Sequence, residues 1–378
     1  MAFNTTLNSL ETFESSFTTM NDSQVNSTVD DQHSNNYIDA ESGGFITKAT
    51  GDLIRSVISF YLLPPVYLFG LIGNVLSLII FCWKKMRQCS TNVVLAYLAL
   101  IDTLFLLISF MRKMSWLIGK ADPLTAQTSD NAILTVPVVL ELMTNRISSF
   151  LSLVICCERF IAVFKPLKVK FWVTSKRIVF ALVAVTAFVF GILAVGFGMT
   201  TFRKYYDDTK NRTMARLTYK PSNLNNPKNL NAYSVFITVS LRLLPMFPIT
   251  ILTIAIIAKM HQRKKWLKHV TNATQNANAE DDLQTMTKIL MTTVSIYIAC
   301  NLFGNSFLVL SWIDSRFSIR GEFSIEFRTA DFIISFFDVC NSSANFVVYT
   351  VMNKKFSSIL VQMLRDFRKK IRSDTRYR

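Results

Sequence analysis

The sequence predicts an all-α membrane protein: a bundle of seven transmembrane helices followed by a short amphipathic helix. The chain has 378 residues, of which 51% are hydrophobic, and its mean hydropathy is +0.32, too apolar for an ordinary soluble protein. An apolar run of about 20 residues is the length that a helix needs to cross a bilayer. Seven such runs occur, at roughly 56–83, 92–112, 134–163, 179–199, 233–259, 287–312 and 329–352.

The distribution of charge predicts how the chain is oriented. A net charge of +16 would suggest nucleic acid as the partner of a soluble protein. Here the Lys and Arg residues collect after the first, third and fifth runs and after the last one, whereas residues 1–52 hold eight acidic residues and only Lys48. This positive-inside pattern excludes nucleic acid and predicts a multi-pass plasma-membrane protein with an extracellular N-terminus.

Composition divides the chain into three regions. Residues 1–52 are polar and predict a disordered extracellular tail, residues 53–352 form the transmembrane domain, and residues 353–378 form an amphipathic helix with a basic cytoplasmic tail. In that helix the apolar residues fall on one side and face the lipid bilayer, its predicted partner; they are Phe356, Ile359, Leu360, Met363 and Phe367. Glycosylation is predicted at four sequons, Asn4, Asn21 and Asn26 in the tail and Asn211 in the second outside loop.

The third apolar run carries a polar seam along its whole length. On a helical wheel Glu141, Ser148, Ser152 and Arg159 fall close to one line. Glu141 and Arg159 are about 27 Å apart along the helix axis, which is close to the thickness of the hydrocarbon layer. Charged groups facing lipid would be costly, so the seam predicts that this helix is the central one of the bundle.

Several motifs resemble those of rhodopsin-like (class A) G-protein-coupled receptors. Glu158-Arg159-Phe160, at the end of the third run and followed by Pro166-Leu167, is similar to the Glu/Asp-Arg-Tyr motif of that family. The sequence NSSANFVVY at 341–349, followed by NKKF at 353–356, resembles FMRFamide-type neuropeptide receptors and their nematode relatives. The resemblance implies a receptor, not an enzyme. Such a receptor binds a short amidated peptide outside the cell and activates a heterotrimeric G protein inside it, with arrestin and receptor kinases as further partners.

The chain also departs from that family. Leu134 stands where the family has a cysteine that is disulfide-bonded to the second outside loop, and all six cysteines fall in the membrane or cytosol, where disulfides are not expected. Phe303 and Phe346 stand where the family has prolines in the sixth and seventh helices. We therefore expect six free cysteines and a sixth helix with less rigid bending.

Two sets of site residues follow from the resemblance. The activation switch comprises Glu158, Arg159, Asn345 and Tyr349, with Arg159 held by Glu158 in the inactive state; the alternative is a plain interfacial ion pair. A site for an allosteric sodium ion, with no other cofactor expected, comprises Asp102, Ser148, Asn341, Ser342 and Asn345. These oxygen donors suit a hard cation, although a polar network satisfied by water is the alternative.

The remaining deep charges are Glu141, Arg146, Arg242 and Asp338. Either they pair with one another, Glu141 taking Arg146 or Arg242 as its partner, or Glu141 and Asp338 contact a cationic group of the ligand. Arg146 lies about 140° round the helix from Glu141, so it is predicted to face the fourth or fifth helix. The candidate ligand-binding residues are Glu141, Asn145, Arg242, Tyr297, Asn301 and Asp338.

Other functions remain open at this point. A chemosensory or amine receptor would have the same fold. A transporter or channel would show ligand-dependent flux with no requirement for Arg159, although the sequence contains no inverted repeat. A receptor that binds ligand without signalling is a further alternative, because the missing prolines normally help the helices to swing.

Overall fold

The computed structural model describes residues 44–84, 86, 89–121, 135–207, 212–220, 233, 235–269, 277–314, 316–317 and 321–376. Within these ranges seven helices are long and apolar enough to cross a membrane, which confirms the predicted seven-helix bundle. The spanning helices are α1 (Lys48–Val57, continued by a π-helical turn at Ile58–Leu62 and by Leu63–Cys82), α2 (Ser90–Ala121), α3 (Thr135–Phe164), α4 (Ser175–Met199), α5 (Leu244–His269, preceded by a π-helical turn at Val239–Leu243), α6 (Ala277–Ile313) and α7 (Ser324–Met352). They are followed by α8 (Lys354–Arg376), and a 3-10 turn at Pro166–Lys168 and a one-turn helix at Val169–Trp172 connect α3 to α4.

The helix α3 is the centre of the bundle, as its polar seam predicted. In the most apolar stretch of α3, 67% of the residues are buried, compared with 22% in the corresponding stretch of α4 at the periphery. Ile147, Leu151 and Ile155 on α3 are at most 1% exposed and belong to the main core. A helix that is buried on most sides brings both ends of its polar seam into the protein interior.

The helix α1 is interrupted by a π-helical turn directly before Pro64 and Pro65. Proline has no N–H to donate and its ring displaces the carbonyl one turn earlier, so the regular hydrogen-bond pattern cannot continue through this pair. The described part of α1 begins at Lys48, so the predicted boundary between residues 52 and 53 lies inside this helix.

The helices α1 and α7 approach each other closely at Gly70. A Cβ atom at Gly70 would collide with the Ser343 hydroxyl and with a methyl group of Leu106. Asn74, one turn later, donates to the carbonyl oxygen of Ser342 at 2.9 Å. The absence of a side chain at Gly70 therefore sets the position of the α7 segment that carries Ser342 and Asn345.

The helix α8 packs its apolar side against the end of the bundle. Phe356 is fully buried, and its ring centroid lies 5.3 Å from that of Phe81 and 5.9 Å from that of Tyr349. Leu360 is also buried, whereas Phe367, which the sequence places on the same side, is 64% exposed. The first two turns of α8 thus belong to the core, and the helix extends through most of the predicted region 353–378.

The strands β1 (Thr200–Asp207) and β2 (Arg212–Tyr219) form an antiparallel hairpin directly after α4, with Thr200 opposite Tyr219. The sequence predicted only a long loop there. All six cysteines are free, as predicted, so no disulfide ties the hairpin to α3.

Candidate functional site

The polar residues inside the bundle form three groups along α3. We call the two ends of the bundle the Glu141 end and the Arg159 end, after the residues that mark the ends of the seam. One group surrounds Asp102 in the middle, one surrounds Arg159, and one lies between Asp102 and the Glu141 end. The sites thus follow the seam that the sequence predicted.

Asp102 is fully buried in the middle of α2 and accepts three side-chain hydrogen bonds. Its Oδ1 accepts from Ser148 at 2.9 Å and from Ser342 at 3.2 Å, and its Oδ2 accepts from Asn345 at 2.8 Å. Three helices therefore supply one carboxylate, two hydroxyls and one amide to a single buried point. In this arrangement the two hydroxyls and the Asn345 N–H satisfy the carboxylate directly. The same side chains also carry the carboxylate, hydroxyl and amide oxygens that a hard cation such as sodium prefers.

One member of the predicted sodium set is not in this group. Asn341 is half-buried, and it is not among the residues of the described chain that bond to Asp102. Successive residues on a helix are about 100° apart, so Asn341 points away when Ser342 points inward. The structure therefore places Asn341 beside the site, and the prediction that it contacts the same point as Asp102 is corrected.

Arg159 and Glu158 form a buried ion pair at the end of α3, in the arrangement predicted for the inactive state. The distance from Arg159 Nη2 to Glu158 Oε1 is 2.9 Å, and the two side chains are 7% and 4% exposed. The Thr91 hydroxyl at the start of α2 donates to the same Glu158 oxygen and accepts from Arg159 at 2.5 Å. The sequence did not predict Thr91, because a threonine at the start of a spanning helix is unremarkable by itself.

This end of the bundle also holds buried polar atoms without a partner among the described residues. They include Glu158 Oε2, Arg159 Nε and the Tyr349 hydroxyl. Tyr349 is 1% exposed, and its ring lies edge-on to Phe81 with the centroids 5.2 Å apart. Of the four predicted switch residues, Glu158 and Arg159 bond to each other, whereas Asn345 bonds to Asp102.

Glu141 is engaged by Arg112 of α2, a partner that the sequence did not predict. Both nitrogens Nε and Nη2 of Arg112 donate to its carboxylate, and the two side chains are 14% and 13% exposed. The expectation that Arg146 or Arg242 is the structural partner of Glu141 is wrong. The next residue, Lys113, is 4% exposed and its ammonium lies 4.1 Å from the centroid of the Phe332 ring.

The other deep charges come together between Glu141 and the Asp102 site. Asp338 Oδ2 accepts from Asn145 at 3.0 Å, and Arg242 Nε donates to Asn305 Oδ1 at 2.7 Å. Arg146 is within electrostatic range of Arg242 and Asp338, so it faces the side of the fifth span, one of the two sides predicted. We call Asn145, Arg146, Arg242, Asn305 and Asp338 the interior polar cluster.

Two further ligand candidates border this cluster on α6. Tyr297 is 4% exposed and lies within electrostatic range of Arg146, Asp338 and Arg242. Asn301 is buried, and its amide donates to the Tyr297 carbonyl at 3.0 Å. The structure thus places Asn145, Arg242, Tyr297 and Asp338 in one region, whereas Glu141 is taken up by Arg112.

Five other predictions fall outside the described residues. The sequons at Asn4, Asn21, Asn26 and Asn211 are among them, together with the predicted disorder of residues 1–43. Within the described part of the chain, no three His, Cys, Asp or Glu residues group into a metal site.

Comparison with known proteins gives the family. Residues 62–366 match the family described as serpentine type 7TM GPCR chemoreceptor Srw. A probable G-protein coupled receptor of Caenorhabditis elegans is 22% identical over 306 residues, which make up 80% of this chain and 68% of that receptor. An FMRFamide peptide receptor of the same nematode is 33% identical over 113 residues, which make up only 30% of this chain and 26% of that receptor.

The family match covers α2 to α7 completely and most of α1. It confirms the predicted G-protein-coupled receptor at this coarser level and indicates a non-enzymatic, multi-pass membrane protein. The narrower likeness to class A and FMRFamide-type receptors stays a prediction, because the match to the peptide receptor is partial. The chain belongs to the serpentine type 7TM GPCR chemoreceptor family Srw.

Proposed function

We propose that this protein binds an extracellular ligand in the interior polar cluster and activates a heterotrimeric G protein at the Arg159 end. The observation that carries the proposal is the course of α3. One buried helix holds Asn145 and Arg146 of the cluster, Ser148 of the Asp102 site and the closed Glu158–Arg159 pair. A ligand that moves α3 therefore acts on all three groups.

The proposal places the protein in the plasma membrane with its N-terminus outside. It is supported by the basic residues after the first, third and fifth spans, which are typical of cytoplasmic loops. The Arg159 end then faces the cytosol, where the G protein, arrestin and receptor kinases are the proposed partners. The basic helix α8 lies at the same end and meets the bilayer surface.

The ligand that we propose is a short amidated peptide. Support comes from the motif at residues 341–349 and from the partial similarity to an FMRFamide peptide receptor. The proposed contacts are Asn145, Arg242, Tyr297, Asn301 and Asp338. Glu141 contributes indirectly, by holding Arg112.

A small-molecule chemosensory function is the second candidate. It is favoured by the description of the matched family, which is one of chemoreceptors. In that case the same cluster would receive a small polar compound, since Arg242, Asn145 and Asp338 are half-buried and not fully enclosed.

A ligand screen tests the function. Cells that express the full chain are exposed to amidated peptides, to the same peptides with free carboxyl ends and to small polar compounds, with calcium and cAMP as readouts. We expect a saturable response to an amidated peptide that untransfected cells lack. Responses to small compounds alone would favour the chemosensory function, and ligand-dependent flux without G-protein dependence would indicate a transporter or channel. Binding without any signal would indicate a receptor that binds its ligand without activating a G protein.

We also propose that sodium binds at Asp102, with Ser148, Ser342 and Asn345 around it. The ion would stabilise the inactive arrangement, so raising sodium is expected to weaken agonist affinity by about 5-fold or more. Asp102→Asn is expected to abolish this dependence in competition binding. Asp331→Asn, which removes an exposed carboxylate nearer the start of α7, is the matched control and keeps it. A sodium response that persists in Asp102→Asn contradicts the proposal.

A further inference from the structure

The interior polar cluster does not balance its charges. It contains two arginines, Arg146 and Arg242, and one carboxylate, Asp338, all within electrostatic range of one another. The nearest further acid along α3, Glu141, is bound by Arg112. The cluster therefore carries one positive charge in excess, at a depth where an uncompensated charge is costly.

Arg146 lacks a close partner for its charge among the described residues. It is 9% exposed, and no other group in the described part of the chain makes a hydrogen bond or a close ion pair with its guanidinium. The one carboxylate in range, Asp338, accepts from Asn145 instead. The guanidinium of Arg146 carries five N–H donors, and no hydrogen bond to them is present among the described residues.

Arg242 approaches the same region with part of its guanidinium still available. Its Nε donates to Asn305, which leaves the two terminal nitrogens for other partners. A Cβ atom at Gly304 would collide with one of these nitrogens, so the glycine at this position makes room for the guanidinium head. Two guanidinium groups with spare donors therefore lie beside one carboxylate.

We propose that the interior polar cluster binds an anionic group of the ligand, a carboxylate held by Arg146 and Arg242. Two planar guanidinium groups can each offer paired N–H donors to a carboxylate, which is the geometry that arginine recognises best. Binding removes the excess positive charge of the cluster and satisfies the donors of Arg146. The inference rests on the proposal that this cluster is the ligand pocket, and it replaces the expectation of a cationic guest.

The carboxylate can come from an acidic side chain of a peptide or from a small organic acid. The aromatic residue beside the cluster, Tyr297, favours a guest that also carries an aromatic group. The test therefore uses one probe of each kind. The peptide probe is N-acetyl-aspartyl-phenylalanine amide with its asparaginyl counterpart as the neutral control, and the small-acid probe is succinate with succinamide.

The experiment measures the melting midpoint of the purified full-length protein in lipid nanodiscs at constant ionic strength. An acidic probe at about ten times its dissociation constant is expected to raise the midpoint by about 3 °C, whereas its amide counterpart has no effect. Stabilisation by the dipeptide at lower concentration than succinate points to a peptide side chain, and the reverse order to a small organic acid. Equal effects of acid and amide, or no effect of either acid, overturn the proposal.

Three variants assign the effect to the cluster. Arg146→Gln is expected to remove the acid-dependent shift, whereas Arg316→Gln, which changes an arginine that is 58% exposed outside the bundle, retains it. Asp338→Asn removes the competing carboxylate and is expected to tighten acid binding about 10-fold. Asp338→Asn also tests the proposal if Arg146→Gln fails to fold. A shift that persists in Arg146→Gln, or weaker acid binding in Asp338→Asn, contradicts the proposal.

The outcome is independent of G-protein coupling. An acid-dependent shift in a protein that never signals leaves the anion site in place and rejects the proposed function. Signalling by neutral or cationic ligands without an acid-dependent shift rejects the anion site and leaves the proposed function in place.

Discussion

Arg159→Ala is expected to abolish G-protein activation while agonist binding changes by less than about threefold. Arg159 lies at the far end of α3 from the interior polar cluster, so its removal leaves the ligand contacts in place. Glu158 keeps its hydrogen bond from Thr91, so the variant does not leave that carboxylate oxygen without a partner. Agonist-stimulated nucleotide exchange and competition binding measure the two effects separately.

Arg177→Ala is the matched control for this variant. Arg177 lies at the same end of the bundle, is exposed, and donates to the Phe171 carbonyl at 2.6 Å. Its loss is expected to leave nucleotide exchange near the wild-type level.

Thr91→Val is expected to have the opposite effect to Arg159→Ala, because it deletes only the hydroxyl that bridges Glu158 and Arg159. Losing such a bond costs about 1 kcal/mol, so basal exchange should rise about fivefold. Normal signalling by Arg159→Ala would assign the pair a purely structural role.

Arg112→Met is expected to destabilise the protein by about 3–5 kcal/mol. Glu141 is 13% exposed, and Arg112 is its one ion-pair partner in the described part of the chain, so the variant leaves a carboxylate without its cation inside the bundle. The melting midpoint of the purified protein and its surface expression should both fall. Arg112→Met combined with Glu141→Leu is expected to restore most of the loss, because no charge is then left behind.

Arg55→Met provides the comparison on an exposed pair. The partner of Arg55 in α1 is Asp52, whose side chain is 53% exposed, at a distance of 2.6 Å. Such a pair contributes about 1 kcal/mol or less, so this variant should melt close to the wild type. If Arg112→Met also melts like the wild type and the double variant gains nothing, Glu141 is solvated rather than held by Arg112. It then returns as a candidate ligand contact.

The bundle could be predicted because it depends on properties that are local in sequence. The length and hydropathy of each run identify the seven spans, and the polar line from Glu141 to Arg159 identifies the central helix. Free cysteines also followed from their positions alone. These properties need no knowledge of which helix lies beside which.

The pairing between helices was predicted only where a family motif supplied it. The resemblance implied that Asp102, Ser148, Ser342 and Asn345 belong to one sodium site, and the structure brings these four side chains together by hydrogen bonds. The bond between Arg112 and Glu141 was not expected, because no motif links the two. The similar depth of Arg112 and Glu141 along their helices could have suggested this bond. Arg112 is ten residues from Asp102, about 15 Å along α2, and Glu141 is seven residues from Ser148, about 11 Å along α3.

The net charge of the interior polar cluster could not be predicted from the sequence for the same reason. Glu141 and Asp338 were expected to converge as two carboxylates on one cavity, which led to the expectation of a cationic guest. Arg112 pairs with Glu141, which leaves Arg146, Arg242 and Asp338 with an excess of one positive charge. One unanticipated contact between two helices thus changes the class of ligand that the cluster suits.

Among the described residues, the polar atoms without partners at the Arg159 end are expected to limit the stability of the closed state. A buried polar atom without a hydrogen bond costs about 1–3 kcal/mol, and the Tyr349 hydroxyl, Glu158 Oε2 and Arg159 Nε are three such atoms. Any rearrangement that brings them to water or to a bound protein recovers part of that energy. We therefore expect the resting conformation to be a shallow minimum, so that a modest preference of the ligand for the open conformation is enough to populate it.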